Sequence, residues 1–378
     1  MTRDRSGLTR REFMKVTGVG AALAGAAARA RAQVPDVPLP PLPGRKAGWA
    51  VVGLGNLAIN QILPAFAKCP RARLVAFVSG RPAKANHLAQ VYGVESRNIY
   101  TYEEYEKLAD NPAIDVVYVV LPNSMHAEYT VRALKAGKHV LCEKPMATTP
   151  ADCEQMVAAA KAARRKLMVG YRLRYEPFNQ SLIKMAQDES DMGPTRLILA
   201  EAGFNIGDPK QWRLRRPMAG GGSLMDIGIY ALNAARYLSG EEPVEVNAMM
   251  HSTPGDPRFV EVEENITFQL RFPGGVLANC ASSYGAGLNR FRVFKPRGSF
   301  ELEPALSYSG LKMRVFRGNG VEERSQPVRD HFASEMDHFS ECVLNDTEPT
   351  TPGEEGLRDL RIMMAIYEAA RAGRPVKL

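Results

Sequence analysis

Three residues of this 378-residue sequence, Lys144, Asp226 and Tyr230, have side chains that could together move a proton. Asp226 and Tyr230 are four residues apart, a spacing that places two side chains on one face of a helix. A free phenol, with a pKa of about 10, is a poor base at neutral pH, but a nearby ammonium favours the phenolate. If Lys144 lies beside Tyr230, the tyrosine could therefore take a proton from a substrate hydroxyl.

Each of these residues also has a purely structural alternative. Glu143 and Lys144 carry opposite charges at the end of an apolar run, so they could form an ion pair that only stabilises the fold. Tyr230 could be an ordinary buried tyrosine of a helix. The glycine run 220–222 and Asp226, which precede Tyr230, favour a functional site.

A glycine-rich turn, residues 53–58, follows a short apolar run and precedes a stretch that we expect to be helical to about Lys68. Strand, GxGxxA turn and helix in this order are typical of a dinucleotide-binding site. Gly53 permits the tight turn, Gly55 lets the backbone approach a pyrophosphate, and Ala58 lets helix and strand pack closely. Free amides at the helix start would bind the phosphates. The candidate cofactor contacts in this turn are Gly53, Leu54, Gly55, Asn56 and Leu57.

The second predicted strand, 74–78, ends in a hydroxyl and two cations, contributed by Ser79, Arg81 and Lys84 around Gly80. A site specific for NAD usually has an aspartate or glutamate here, which accepts from the ribose 2′-hydroxyl. Cations suit the 2′-phosphate of NADP instead. The sequence therefore predicts NADP as the cofactor.

Two more apolar runs, 116–120 and 139–142, end at polar segments and alternate with helical stretches. This order predicts an α/β fold with a doubly wound parallel sheet, whose cofactor cleft lies at the carboxyl ends of the strands. His126 could also be a helix-cap or packing histidine. The further candidate cofactor contacts are Tyr102, Leu121, Pro122, Asn123, His126, Glu143 and Lys144.

The second half of the chain has alternating apolar runs at 196–201, 265–270 and 276–280, which predict a large, mostly antiparallel open sheet. Helical periodicity returns at 330–341 and 352–373, and we expect the last helix to pack against the first domain. The predicted domains are a Rossmann domain at 47–167 and an α+β domain at 168–378.

The N-terminus has the pattern of an export signal. Arg10 and Arg11 precede a weakly apolar stretch, 16–28, which has no periodic apolar face and is too short to span a bilayer, and Ala30-Arg31-Ala32 resembles a cleavage site. Residues 1–32 therefore resemble a twin-arginine signal, which implies export of a folded protein. Residues 33–46 contain five prolines and should form an extended arm or a simple linker.

Charge and cysteine content exclude several classes of protein. Of the formal net charge of +8, residues 1–32 contribute +5, so the rest of the chain is a poor binder of nucleic acid. The five cysteines are scattered and lack the spacing of a metal site, so we expect no metal.

These motifs resemble those of the Gfo/Idh/MocA family of oxidoreductases, whose hallmark is the Glu-Lys-Pro found here at 143–145. The resemblance covers essentially the whole chain and is clearest at 142–148, 211–216 and 219–230. Many members have a histidine four residues after the aspartate as the proton-transfer group. Tyr230 at that position is similar to the glucose-fructose oxidoreductase branch.

The resemblance implies that Lys144, Asp226 and Tyr230 are catalytic, with Asp226 either contacting the sugar or orienting Lys144. Aromatic faces and arginine forks suit polyhydroxylated ligands, although each such residue could be ordinary packing. The candidate sugar contacts are Lys144, Tyr171, Arg172, Trp212, Arg213, Asp226, Tyr230 and Tyr284, of which Lys144, Arg172, Trp212 and Arg213 are also candidate cofactor contacts.

The expected activity is that of a periplasmic enzyme with tightly bound NADP, which oxidises an aldose at C1 to the lactone and then reduces a second sugar. That acceptor could be fructose or another aldose. The resemblance also implies a homo-oligomer, a dimer or tetramer formed through the sheet, and an arm that covers a neighbour's cofactor but is shorter here. The alternatives are a sugar dehydrogenase with exchangeable NADP and a noncatalytic sugar- or nucleotide-binding protein. The other expected partner is the twin-arginine export machinery, with no nucleic acid and no stable membrane insertion.

Overall fold

Two β-sheets organise residues 44–378, the part of the chain that the computed structural model describes. The predicted export signal, 1–32, and most of the predicted arm, 33–43, lie outside the described residues. The strands are β1 Ala47–Val52, β2 Ala72–Val78, β3 Ile99–Tyr100, β4 Val116–Val119, β5 His139–Glu143, β6 Leu167–Gly170, β7 Leu197–Gly203, β8 Glu245–His251, β9 Asn265–Arg271, β10 Leu277–Ser283, β11 Leu288–Lys295, β12 Gly298–Leu302, β13 Met313–Arg317, β14 Gly320–Arg324 and β15 Val376–Lys377.

Seven longer helices connect or cover these strands: α1 Pro82–Tyr92, α2 His126–Lys135, α3 Pro150–Ala163, α4 Pro177–Gln187, α5 Ile229–Ser239, α6 His331–Asn345 and α7 Gly353–Ala372. Single α-helical turns occur at Leu63–Ala65, Glu189–Met192 and Arg216–Ala219. The 3₁₀ turns are Phe66–Lys68, Ser96–Asn98, Tyr105–Asp110, Asn123–Met125, Arg172–Tyr175, Trp212–Leu214 and Pro257–Phe259, and the π-helical turns are Ala58–Ile62 and Leu224–Gly228.

The first sheet is parallel throughout, with the strand order β3-β2-β1-β4-β5-β6. This order confirms the predicted doubly wound α/β fold. Both faces of such a sheet are covered, so every residue of β1 and β4 is buried. Strand β3 was not predicted, because two residues are too few to show a periodic pattern.

The second sheet has nine strands in the order β14-β13-β12-β11-β7-β10-β9-β8-β15. Its pairs are antiparallel except for β7 with β10, which confirms the prediction of a mostly antiparallel sheet. Alternate residues of β9 are buried, with Ile266, Phe268 and Leu270 on one face. That face belongs to the same hydrophobic core as helix α5, so the sheet supports the helix that carries Tyr230.

The helix predicted after the glycine turn has a different local form. It consists of a π-helical turn at Ala58–Ile62, an α-helical turn at Leu63–Ala65 and a 3₁₀ turn at Phe66–Lys68. Pro64 lies within the segment and has no amide hydrogen to donate to an earlier carbonyl, so the regular hydrogen-bond ladder cannot continue through it.

The prediction that one regular helix carries both Asp226 and Tyr230 is also corrected by the structure. Asp226 lies in the π-helical turn Leu224–Gly228, and α5 begins only at Ile229. π-Helical turns are rare in proteins, and those that do occur are frequently found at functional sites. They leave no signature in apolar periodicity, which reports only the average helical repeat.

Helix α6 returns from the end of the chain to cover one face of the first sheet. The indole nitrogen of Trp49 donates to Ser340 Oγ at 3.0 Å, and the rings of Trp49 and Phe339 pack edge to face with centroids 6.0 Å apart. Phe332 and Met336 belong to the same buried cluster. The core of the first sheet is therefore completed by residues far from it in sequence.

Helix α7 packs against α3 and β6, as expected from the sequence. Gly353 lies against Val157 and Leu167, and Pro352 forms an isolated antiparallel bridge with Met168 at the edge of the first sheet. The domain boundary between residues 167 and 168, which we placed from the sequence, stays a prediction.

A buried ion-pair network anchors α5 to α7. Arg236, 4% exposed, lies 2.6 Å from Glu242, 3.0 Å from Glu355 and 2.5 Å from Asp359. Arg236 is on α5, seven residues from its first residue, and Glu355 and Asp359 are on α7. This network fixes the helix on which Tyr230 lies.

We expect Arg236→Met to lower the free energy of unfolding by about 3–5 kcal/mol, because it leaves Asp359 buried without its cation. Glu355 also loses one of its cations but keeps Arg174 and Arg358. Denaturant unfolding followed by circular dichroism measures the change. The matched control is Arg361→Met, which breaks a surface pair with Glu154 whose side chains are 58% and 53% exposed, and which should cost less than about 1 kcal/mol. Equal losses in both variants would contradict a special role for the buried network.

Candidate active site

A cavity of about 850 Å³ opens where strands β1, β2 and β4 end. It is lined by every predicted cofactor contact except Arg172, namely Gly53, Leu54, Gly55, Asn56, Leu57, Ser79, Gly80, Arg81, Lys84, Tyr102, Leu121, Pro122, Asn123, His126, Glu143, Lys144, Trp212 and Arg213. Val120, Asp208, Gln211 and Asp226 also line it and were not predicted as cofactor contacts. We call this volume the cofactor cavity.

The glycine turn has the shape that a dinucleotide requires. Gly53 has a φ of +91°, and a Cβ there would lie 2.3 Å from the Val120 carbonyl oxygen, so only glycine fits. A Cβ at Gly55 would meet nothing within 4 Å and would enter the space that lines the cavity. The backbone at Gly55 is therefore open to close approach by a phosphate group.

At the end of β2, the polar groups predicted from the sequence line the same cavity. The Arg81 amide donates to Ser79 Oγ at 3.2 Å, and Lys84 Nζ donates to the Leu54 carbonyl at 2.5 Å. The lysine thus connects the start of α1 to the glycine turn, and its charge lies beside the predicted phosphate position. These residues fit the phosphate groups of a nicotinamide dinucleotide.

His126 has a packing role within the cofactor cavity. Its ring nitrogens lie 2.9 Å from the Pro145 carbonyl oxygen and 2.8 Å from that of Leu121, and burial lowers its pKa. The residue joins the loop after β4 to the loop after β5, which holds the segment that follows Lys144.

A second cavity, of about 550 Å³, adjoins the first. Arg172 and Tyr230 line it, together with Asn289, Ser307 and Tyr308. The residues common to both cavities are Asn56, Leu57, Glu143, Lys144, Gln211, Arg213 and Asp226. We call the second volume the substrate cavity, because it contains all three predicted catalytic residues, two of which, Lys144 and Asp226, also line the cofactor cavity.

Lys144 is held by the π-helical turn. Its Nζ donates to the Asp226 main-chain carbonyl at 2.6 Å and lies 3.7 Å from the Asp226 carboxylate. The same ammonium lies over the ring of Tyr230, 4.7 Å from its centroid. The structure therefore brings Lys144, Asp226 and Tyr230 together, although the ammonium contacts the ring face of Tyr230.

Asp226 is an ionised carboxylate among cations. Its Oδ2 lies 3.1 Å from Arg213 Nε and accepts a hydrogen bond from the Tyr284 hydroxyl at 3.1 Å. Burial raises the pKa of Asp226, but Arg213 and Lys144 outweigh that effect, so the pKa lies below its usual value.

Tyr230 has a cationic donor at its oxygen. Arg172 Nε donates to the Tyr230 hydroxyl at 3.2 Å, and both side chains are buried. The sequence singled out Arg172 only as a sugar or cofactor contact. Its bond to Tyr230 was missed, because the two residues are 58 positions apart and no local pattern connects them.

The glycine run before Asp226 allows a close packing contact. A Cβ at Gly221 would lie 2.2 Å from the Tyr367 hydroxyl, and one at Gly222 would lie 2.1 Å from the Glu263 carbonyl oxygen. The Glu263 carboxylate accepts from the amides of Gly222 and Leu224 at 2.9 and 3.0 Å. Glu263, which the sequence did not identify, therefore fixes the turn that carries Asp226.

Two predicted sugar contacts line neither cavity. Tyr171 is 1% exposed and faces the charges of Asp359 and Glu355, so it is part of the core next to the Arg236 network. Tyr284 is also buried, and its contact with the site is the hydrogen bond to Asp226. Trp212 lines only the cofactor cavity.

Comparison with known proteins defines the class of this protein. Residues 47–171 match an oxidoreductase family with an NAD-binding Rossmann fold, and residues 182–301 match the Gfo/Idh/MocA C-terminal domain. The chain therefore belongs to the Gfo/Idh/MocA oxidoreductases, and its cofactor is a nicotinamide dinucleotide.

Individual relatives extend the comparison over most of the chain. D-xylose 1-dehydrogenase [NADP(+)] from Haloarcula marismortui is 33% identical over 87% of this chain and 92% of its own length. The crystal structure of aldose-aldose oxidoreductase from Caulobacter crescentus, complexed with glycerol, is 52% identical with a TM-score of 0.87, covering 88% of this chain and all of that one. A 3-ketoreductase from Actinomadura kijaniata, in complex with NADP and TDP-benzene, is 26% identical with a TM-score of 0.76, over 86% of this chain and 98% of its own.

Within residues 44–378, no group of three His, Cys, Asp or Glu side chains is arranged to hold a metal ion. The five cysteines are free and buried. Over the same residues, no helix combines the length and the apolar character that a membrane crossing would need.

We expect Gly55→Val to weaken nicotinamide dinucleotide binding by at least about tenfold without loss of stability, because the side chain would occupy open space where a phosphate must approach. Fluorescence titration with the dinucleotide measures the affinity, and thermal unfolding measures the stability. Gly320→Val, in strand β14 with ordinary contact distances around the new Cβ, is the matched control. Unchanged affinity in Gly55→Val would contradict the placement of the phosphates.

Proposed function

We propose that this protein is an exported oxidoreductase that retains NADP and uses it to pass hydride from one aldose to another. The observation that carries the proposal is the position of Lys144 and Asp226 at the junction of the cofactor and substrate cavities, with Tyr230 beside Lys144 in the substrate cavity. An aldose in the substrate cavity would lie next to both the proton-transfer group and the nicotinamide.

NADP is supported over NAD by the groups at the end of β2. Ser79, Arg81 and Lys84 line the cavity there, whereas its carboxylates, Glu143, Asp208 and Asp226, come from other elements. A 2′-phosphate would meet cations and a hydroxyl, without an opposing carboxylate. Two relatives also support NADP. One is the D-xylose 1-dehydrogenase [NADP(+)], and the other is the 3-ketoreductase whose crystal structure contains NADP.

A sugar substrate is supported by the lining of the second cavity. Arginine, amide and hydroxyl groups line it together with aromatic rings, and this combination suits a polyhydroxylated ring. The name of the relative that is 52% identical favours an aldose as both donor and acceptor, with a ketose such as fructose as the competing acceptor.

The protein groups would supply the proton transfers of the reaction. Bound NADP supplies a hydride acceptor in one half-reaction and a hydride donor in the other. The Tyr230 oxygen accepts the proton of the aldose C1 hydroxyl as the carbonyl of the lactone forms, and returns it to the carbonyl oxygen of the second sugar. Asp226 positions Lys144, whose remaining hydrogens can donate to the reacting sugar oxygen. The proton is thus conserved over the complete cycle.

Export and assembly belong to the same proposal. Arg10 and Arg11 with the segment up to residue 32 support twin-arginine export into the periplasm, where a folded enzyme would arrive with its cofactor already bound. Met249, 75% exposed, is on β8 and Leu277, 47% exposed, is on β10, two strands away in the second sheet, and these exposed apolar residues support a homo-oligomer formed through that sheet.

We expect the purified protein to contain NADP, identified by mass spectrometry of the released nucleotide. Addition of glucose or xylose should raise the absorbance of reduced nicotinamide once, to the level of one equivalent per subunit, and a second aldose should lower it again. If no sugar changes the signal of a nucleotide-loaded sample, the proposal is wrong. Reoxidation by fructose and not by aldoses would make the acceptor a ketose.

The relative named D-xylose 1-dehydrogenase [NADP(+)] favours a second candidate, an ordinary dehydrogenase with exchangeable NADP. Dialysis separates the two candidates. A dehydrogenase loses its sugar-dependent signal on dialysis and regains it with added NADP, whereas a retained cofactor leaves the cycle intact.

We expect Tyr230→Phe to slow aldose oxidation by about 100-fold to 10,000-fold, because it removes the proton acceptor, and with it the oxygen to which Arg172 Nε donates. NADP content and sugar binding, measured by calorimetry, should change little. Tyr237 lies on the same helix as Tyr230 but lines neither cavity, and its hydroxyl donates to Asn179 on α4, so Tyr237→Phe is the matched control. Retained hydride transfer in Tyr230→Phe would instead assign proton transfer to another group.

A further inference from the structure

We propose that Arg172, positioned by His331, is the cation that keeps the Tyr230 oxygen ready to accept a proton, and that Lys144 acts mainly on the substrate side. This inference rests on the proposed function, since it concerns the base of that reaction. The relevant atoms are Arg172 Nε, which donates to the Tyr230 oxygen at 3.2 Å, and His331 Nδ1, which lies 2.8 Å from Arg172 Nη1.

Lys144 is less well placed for this task. Its shortest contact is the 2.6 Å hydrogen bond to the Asp226 carbonyl, and its Nζ lies 4.7 Å from the centroid of the Tyr230 ring. A cation over the ring face interacts with the π system, whereas a donor at the oxygen directly stabilises the negative charge of a phenolate. Arg172 supplies that donor.

Arg172 is held by neutral partners. Besides Tyr230 and His331, its Nη2 donates to the Leu306 carbonyl at 2.5 Å. Arg172 is only 4% exposed, so its charge is largely removed from water. A buried cation stabilises negative charge that develops on an oxygen it contacts, and the Tyr230 oxygen is at hydrogen-bond distance from Arg172 Nε.

Two buried carboxyl groups, Glu143 and Glu335, interact electrostatically with Arg172. Burial raises the pKa of Glu143, against the opposing effects of the Tyr118 hydroxyl and Lys144. Burial, and then the proximity of Glu143, raise the pKa of Glu335 well above its usual value. Arg172 lowers the pKa of both carboxyl groups, but burial outweighs that effect. The Tyr118 hydroxyl lies 2.7 Å from Glu143 and 3.5 Å from Glu335.

His331 sets the orientation of the guanidinium. Arginine has only donors, so the histidine must offer an unprotonated Nδ1, and its proton must be on Nε2. Burial, reinforced by Arg172, lowers the pKa of His331 to about 4, which keeps the ring neutral at neutral pH. His331 begins helix α6, directly after Asp330, whose side chain accepts from the amides of Phe332 and Ala333 and thereby fixes the start of the helix.

The other groups that face Tyr230 come from three elements. Lys144 follows β5, Tyr118 is on β4, and Tyr308 is in the loop between β12 and β13, where its ring also lies 4.6 Å from the Arg172 guanidinium carbon. The tyrosines are neutral near pH 7, because burial raises the pKa of each. Arg172 and Lys144 are therefore the two cations whose effects on Tyr230 an experiment must separate.

The test compares His331→Leu with His331→Asn in the NADP-loaded, full-length protein. Asparagine can offer its side-chain oxygen near the position of Nδ1, whereas leucine has a similar size and offers no acceptor. The measurement is the single-turnover rate of bound NADP reduction by glucose as a function of pH. In His331→Leu, the pH of the half-maximal rate should rise by about one unit and the rate at pH 7 should fall about tenfold, because the phenolate loses its fixed donor. His331→Asn should stay within about threefold of the wild type.

Arg172→Gln is the second variant, for use if His331→Leu does not fold or retain NADP. It removes the charge and should produce the same alkaline shift. Wild-type profiles in both His331→Leu and Arg172→Gln would overturn the inference, as would an alkaline shift confined to Lys144→Met. Failure of the proposed function can be distinguished from failure of this inference, because the wild-type protein itself would then show no reduction of NADP by any sugar.

Discussion

The hydrogen bond between Lys144 Nζ and the main-chain carbonyl of Asp226 connects the two halves of the site. Lys144 follows a strand of the parallel sheet, and Asp226 lies in a π-helical turn 82 residues later. Each end is fixed independently, by the His126 contact with the Pro145 carbonyl and by the Glu263 cradle around the turn. The relative position of the cofactor cavity and the substrate cavity depends on this contact, because both include these two residues.

Charge at the site is unevenly distributed. Lys144, Arg172 and Arg213 are cations, whereas Asp226 is the carboxylate whose pKa is held low, and burial raises the pKa of Glu143. The junction of the cavities therefore carries an excess of positive charge in a setting of reduced dielectric constant. Such a setting stabilises oxygen atoms that gain negative charge during a reaction, and it also attracts the phosphates of a dinucleotide.

The parts of the site that could be predicted from the sequence are those specified locally. The turn that contains Gly53 and Gly55 and the cations at Arg81 and Lys84 follow directly from strands, so the fold brings them to one cavity. The contact between Arg172 and His331 was missed, because 159 residues separate them and neither lies in a motif. Tyr171 was misplaced for a related reason: its residue type suits a sugar pocket, but the sequence does not show which way the side chain points.

Completion of the first sheet by helix α6 has a consequence for biosynthesis. Trp49 is among the first residues of the parallel sheet, yet its partners Phe339 and Ser340 are synthesised almost 300 residues later. Until α6 emerges from the ribosome, one apolar face of the sheet is open to water, so the nascent N-terminal half is a natural ligand for chaperones. A quality-control step that inspects apolar exposure would thus recognise a chain truncated before α6.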